Sequence, residues 1–201
     1  MATATNQQNG SSIATQQNDP LVLKGEGLGE IQKFGTVLDA RIALDEKARI
    51  DNSAALNGVL ANTMILQSLY KKYHWLMRGI TFYQLHLLLD KHSDEQLELI
   101  DSLAERVQKL GGVSVGDHRH AAELTDIPRP PNGVQSVPAM LEALLQAHEL
   151  TIKRIRKAVD QANENGDEGT SDVLVSEVLR TNETQVWFVS EHLVLTPVVE
   201  A

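Results

Sequence analysis

Two pairs of residues with metal-binding side chains stand at one-turn spacing in a single segment, Thr81 to Leu110: His86 with Asp90, and Asp101 with Glu105. In a helix, residues four apart lie one turn apart on one face. At about 100° per residue, all four fall in a stripe about 100° wide. Imidazole with carboxylate suits Fe(II), Mn(II) or Zn(II), and such a set with open positions suits iron oxidation. The two pairs cannot share one ion within a chain. Asp90 and Asp101 are separated by about 16 Å of helix, whereas metal–ligand bonds are about 2 Å long.

The spacing is also palindromic. The midpoint of His86 and Glu105 and that of Asp90 and Asp101 both fall between Glu95 and Gln96. If a second copy of the segment runs antiparallel about a two-fold axis at that point, His86 and Asp90 of one chain face Asp101 and Glu105 of the partner subunit. Two identical sites then form, about 22 Å apart. Acidic residues on a helix are by default solvated, and a lone histidine is by default structural. Here the flanking Leu85, Leu87, Leu88, Leu89, Leu97, Leu99, Ile100, Leu103 and Val107 leave little of the helix to water, so its polar groups need partners.

A first helix from about Asp51, a plausible N-cap, to a stop at Gly79 must lie antiparallel to this one, because the turn Gly79-Ile80 is short. His74 lies five residues before Gly79 and His86 seven after it, so the hairpin brings both imidazoles to one end. The expected site is His74, His86 and Asp90 from one chain with Asp101 and Glu105 from its mate. A bridging glutamate can hold two ions a few ångströms apart, which lets two electrons pass to a peroxide at once. Thr81-x-x-Gln84 reads as a capping box, and Gly111-Gly112 ends the second helix.

The connection 113–135 carries Pro128, Pro130 and Pro131, has room for a short helix in GDHRHAAEL, and is long enough to cross along a bundle. Ser136-Val137-Pro138 opens a third helix running to about Ala162, and Thr170 or Ser171 opens a fourth that ends before Pro197. The expected fold class is all-α: a ferritin-like four-helix bundle with a long crossover over 46–196. A flexible polar extension over 1–45 precedes it and a tail over 197–201 follows. No Glu-x-x-His occurs in the chain, which counts against a two-metal site inside one subunit.

The chain has 201 residues, 42% of them apolar and 4% aromatic, enough for one helical domain with a real core. It has no cysteine, which excludes disulfides and thiol catalysis. The net charge of −9 disfavours nonspecific nucleic-acid binding and suits cation collection. Residues 1–20 hold neither lysine nor arginine, so that stretch has nothing with which to grip DNA phosphates. No apolar run reaches membrane-spanning length and no signal peptide is evident, so a cytoplasmic protein without a membrane partner is expected.

Tyr73-His74-Trp75, His86 with Asp90, Asp101-x-x-Ala104-Glu105-Arg106 and the following Leu110-Gly111-Gly112 together resemble the Dps family of mini-ferritins, as does Gln185-Val186-Trp187. The resemblance spans about residues 50–195. It implies a homo-dodecameric hollow shell of 23 symmetry with two iron ions at each inter-subunit site. It also implies oxidation of Fe(II), preferentially by hydrogen peroxide, and storage of a ferric mineral inside. By the same resemblance His74, His86 and Asp90 ligate from one subunit and Asp101 and Glu105 from the other. Trp75 lies beside the site, either to intercept radicals or simply to pack. The DNA-compacting activity in the family's name is the alternative function. His148 could reach the shared site as an extra ligand or be a satisfied buried histidine. His92 is off the stripe and reads as surface or interface, and His118 and His120 sit in the crossover. Asp167, Glu168 and Asp172 form an acidic turn that, placed around a three-fold axis, would draw in Fe(II).

Overall fold

The structure, a computed structural model, describes residues 29–195. The chain divides into a unit of Met1–Ile31 and a helical unit that begins at Gln32. Of the flexible extension expected over 1–45, residues 1–28 lie outside the described residues, as does the tail expected over 197–201.

The helical unit contains α1 (Glu46–Leu76), α2 (Phe82–Lys109), α3 (His118–Leu124), α4 (Val137–Glu164), α5 (Glu168–Val173) and α6 (Arg180–Glu191). A π-helical segment, Leu174–Leu179, joins α5 to α6, so the three form the fourth rod. α1 packs on α2 and α4, and α4 on the fourth rod. This is the expected all-α bundle, with the crossover carrying α3, and there is no strand among the described residues. No helix among them is long and apolar enough to cross a membrane.

The helix ends show where local chemistry set the boundaries. α1 starts at Glu46, earlier than the expected cap at Asp51. Glu46, Lys47, Ala48 and Arg49 are strong helix formers, and Asp51 lies inside the helix, ion-paired to Lys47 at 2.5 Å. Thr81 does precede α2, but with φ −96° and ψ 11° it makes no side-chain cap, so the expected capping box does not form. α2 stops in a Schellman motif at the two glycines, Gly111 donating to Gln108 and Gly112 to Val107. Gly111 has φ +81°, and a Cβ there would stand 2.5 Å from the Leu38 carbonyl oxygen, so only glycine fits. Ser136 caps α4 through the amide of Ala139, as expected. The fourth rod opens on Asp167 rather than on Thr170 or Ser171: Asp167 Oδ1 accepts from the Thr170 amide at 3.0 Å.

Part of the lead-in to α1 is fixed on the bundle. Gln32 Nε2 and the Leu38 amide both donate to the Gly111 carbonyl, at 2.9 and 2.8 Å. Arg49 donates to the Leu38 and Leu110 carbonyls.

The core has two apolar compartments. One gathers Leu56, Leu60, Leu103, Val107, Ile155 and Val178. The other gathers Leu66, Tyr70, Leu85, Leu89, Leu144 and Val189. Between them, on three of the four rods, lies a belt of buried polar residues: His92, Ser93 and Gln96 on α2, His148 and Thr151 on α4, Asn182 and Gln185 on α6. Burying such groups is unfavourable unless they are hydrogen-bonded; most polar atoms of this belt are bonded, whereas His92 Nδ1 and Gln96 Oε1 lack a partner.

Candidate metal centre

At the hairpin end of α1 and α2 the rings of His74 and His86 stack, with centroids 3.7 Å apart and planes 21° from parallel. Their backbones hold them. His74 Nδ1 lies 2.8 Å from the His86 carbonyl oxygen, and His86 Nδ1 lies 3.0 Å from the His74 carbonyl oxygen. A carbonyl only accepts, so each Nδ1 carries the hydrogen and each Nε2 is left with a free lone pair. This is how metal-ligating histidines are set: one nitrogen fixes tautomer and ring direction while the other faces the ion. Burial alone does not account for so specific a reciprocal lock, and the donor set fits a first-row metal.

Asp90 adds a carboxylate, its Oδ1 3.8 Å from His74 Nδ1. Lys71, one turn before His74 on the α1 face that meets α2, is ion-paired to the same oxygen and lies 4.0 Å from Asp94. The hydrogen bond from Lys71 holds the Asp90 carboxyl below the usual carboxylate range. Phe82 leans on the His86 ring at 5.0 Å. Lys71 was missed at the sequence level, although its place three residues before His74 puts it on the same face.

Asp101 and Glu105 lie farther along α2 and are exposed. Glu105 pairs only with Lys109, at 3.1 Å. Among the described residues of one chain, no three or more His, Asp or Glu side chains come together to hold a metal. Within one chain His74 touches both the His86 ring and Asp90, while Asp101 and Glu105 stand apart from them, as the helix arithmetic requires. α2 is also more open than its leucines suggested: Tyr83, Leu87 and Leu97 are 67%, 48% and 56% exposed, on the side that carries the acids. Trp75, 72% exposed, is not packed into its own core.

Other candidates fall elsewhere. His148 is fully buried, with Nε2 2.5 Å from Tyr70 Oη and Nδ1 2.9 Å from Asn182 Oδ1. Both nitrogens are engaged within the core, so neither offers a free lone pair. His92 is neither surface nor interface but buried, edge-on to Tyr70 at 5.4 Å, with Nδ1 lacking a partner. Burial lowers the pKa of His148 to about 3 and that of His92 to about 4. His118 is exposed at the start of α3, and His120 stacks edge-on against Phe34 at 4.5 Å.

Asp167, expected as a pore acid, is 3% exposed. It caps α5, binds Arg106 at 2.5 Å and accepts from Asn52 and Thr170. Burial pushes its carboxyl up, but Thr170, Asn52 and Arg106 together hold it below the usual range. It is a structural hub rather than a lining acid, whereas Glu168 and Asp172 are exposed.

The chain matches the model of the ferritin-like domain over residues 53–198. It is 63% identical to DpsC from Streptomyces coelicolor, with a TM-score of 0.83 over 86% of this chain and all of that one. A nutrient stress-induced DNA-binding protein of Nostoc is 33% identical over 76% of this chain and 83% of its own length. A Dps protein from Vibrio cholerae O1, described as a member of a broad superfamily of ferritin-like diiron-carboxylate proteins, is 25% identical. Its TM-score is 0.72, covering 81% of this chain and 99% of that one.

Proposed function

This chain belongs to the Dps family of ferritin-like proteins, and we propose that it oxidises and stores iron, completing each metal site across a two-fold axis. The observation that carries the reading is the reciprocal His74–His86 lock, which leaves two Nε2 lone pairs at the hairpin end. Fe(II), the substrate, binds to these nitrogens and to Asp90, with Asp101 and Glu105 of the partner subunit closing the site. Zinc or manganese would bind the same donors. Two Fe(II) each give one electron to one hydrogen peroxide, which takes up two protons and leaves as two waters. Twelve subunits forming a closed shell would hold the ferric product. The exposed Tyr83, Leu87 and Leu97 support a partner on this face of α2.

The test is anaerobic Fe(II) titration of the assembled, iron-free protein, followed by peroxide. Saturation near two Fe(II) per subunit, with one peroxide consumed per two Fe(II), is expected. A chain that elutes at the mass of one subunit and saturates with no iron would overturn it.

Iron entry is proposed at Glu168 and Asp172. Glu168→Gln with Asp172→Asn should slow iron uptake and leave assembly intact; unchanged uptake removes the pore. The name of the Nostoc relative favours DNA binding as a second reading. The net charge of −9 opposes it. A gel shift at low salt decides, since phosphate-driven binding is strongest there.

A further inference from the structure

The polar belt contains an arrangement that the iron site does not use. Tyr70 and His148 are both fully buried and share a hydrogen bond of 2.5 Å between Oη and Nε2. The direction of that bond follows from its neighbours. Asn182 Nδ2 donates to the Val178 carbonyl at 2.7 Å, so Asn182 Oδ1 is the atom turned toward His148 Nδ1 at 2.9 Å. Nδ1 therefore carries the hydrogen, and Nε2 is a lone pair accepting from the Tyr70 hydroxyl. Burial raises the Tyr70 pKa well above its ordinary value and lowers that of His148, so at neutral pH both partners are uncharged and the proton rests on oxygen.

We propose that Tyr70 and His148 form a proton-coupled redox pair, in which Tyr70 yields one electron to an oxidising radical as its phenolic proton moves to Nε2 of His148. The O–H bond breaks, an N–H bond forms, and the products are a neutral phenoxyl and an imidazolium. The surroundings are arranged for that cation. Asn182 Oδ1 already faces Nδ1–H. Gln96 Nε2 reaches Asn182 Oδ1 at 3.4 Å and Gln185 Oε1 at 2.9 Å, and Gln185 Nε2 reaches the Glu95 carboxylate at 2.9 Å. Fixed dipoles and a nearby carboxylate stabilise developing charge without rearrangement. The other titratable group against the tyrosine ring is His92, held neutral by burial.

The source of the oxidant rests on the iron-and-peroxide reading. Tyr70 lies one turn before His74 on α1, about 6 Å of rise. When one Fe(II) reduces peroxide by a single electron, the hydroxyl radical formed can take the electron of Tyr70 and, with a solvent proton, become water. A second Fe(II) returns an electron to the phenoxyl, and the proton returns from His148. The net result is one radical and one Fe(II) converted to water and Fe(III), with the surrounding protein left intact.

The test needs no iron, so it stands or falls apart from the metal site. In the assembled chain carrying Tyr73→Phe and Tyr83→Phe, Tyr70 is the remaining one of three tyrosines. Flash-quench oxidation with a ruthenium tris-bipyridyl complex should give the optical and EPR signals of a neutral tyrosine radical. Adding Tyr70→Phe should abolish them. His148→Gln should slow radical formation about a hundredfold, the scale of a positioned proton acceptor. Where that variant fails to assemble, pulsed EPR of the parent radical should show one strongly coupled exchangeable proton in the ring plane, from Nε2–H. Absence of the radical, an unchanged rate with His148→Gln, or no such proton would each overturn the pair.

Discussion

The bundle holds two pairs of imidazoles, and their contrast explains which histidines can meet a metal. His74 and His86 sit half-buried at the hairpin end of α1 and α2, where each uses Nδ1 on a backbone carbonyl and leaves Nε2 outside that bond. His92 and His148 sit in the belt between the two apolar compartments. His148 has both nitrogens engaged, and His92 has Nδ1 sealed in without a partner. All four carry the same ring. The first pair is chemically available because the backbone satisfies it from one side, whereas the second is fixed in the neutral form by burial.

The strongest way to break the contrast is to remove the two acids proposed to close the site across the two-fold axis. Asp101→Ala with Glu105→Ala should lower peroxide-driven Fe(II) oxidation by at least about tenfold. Both side chains are exposed in the single chain, so its fold should hold. Stopped-flow oxidation together with size-exclusion chromatography reads both effects. Oxidation at the unaltered rate would return the two acids to the solvated surface.

The buried pair predicts a pH dependence instead. In the folded chain His92 and His148 have pKa values of about 4 and about 3, below the ordinary 6.5. Between those values and 6.5 the unfolded chain binds more protons than the folded one. Stability should therefore fall as pH drops from 6.5 toward 4, by up to about 1.4 kcal/mol per pH unit for each histidine. His92→Leu should remove its share of that slope, and it also removes an unpartnered Nδ1. Thermal unfolding of iron-free protein at several pH values measures this. A slope that survives His92→Leu unchanged would mean that His92 is not neutral in the folded chain.

The same contrast separates what was legible from what was not. The Gly111-Gly112 stop and the opening of α4 at Ser136 were readable because each depends on neighbours within a turn. His92 was expected at a surface or interface because it lies off the stripe of candidate ligands, yet it is buried. In fact the core face is Leu85, Leu89, His92, Gln96, Leu99 and Leu103, and the acidic stripe lies about 150° around from it. Asp167 was misread because an acid beside glycines looks solvated. Its partner Arg106 comes from another rod, and no local pattern announces that pairing. The direction of Nδ1 in His74 and His86 was equally out of reach, since it depends on how two helices face each other.

Lys71 gives the finest adjustment to the available pair. Its ammonium is paired with Asp90, a carboxylate of the proposed site, and so would compete with a cation for that oxygen. The lysine side chain is 31% exposed and that of Asp90 40%, so solvent screens the pair and the competition is modest. Lys71→Met keeps the aliphatic stem and removes the charge. Fe(II) should then bind about two- to fivefold more tightly, the range of a partly exposed ion pair. Anaerobic calorimetry at fixed ionic strength reads the change, and added salt should shrink it. If binding instead weakens, Lys71 is orienting Asp90 toward the metal rather than competing with it. The site would then depend on a cation to hold its carboxylate in place.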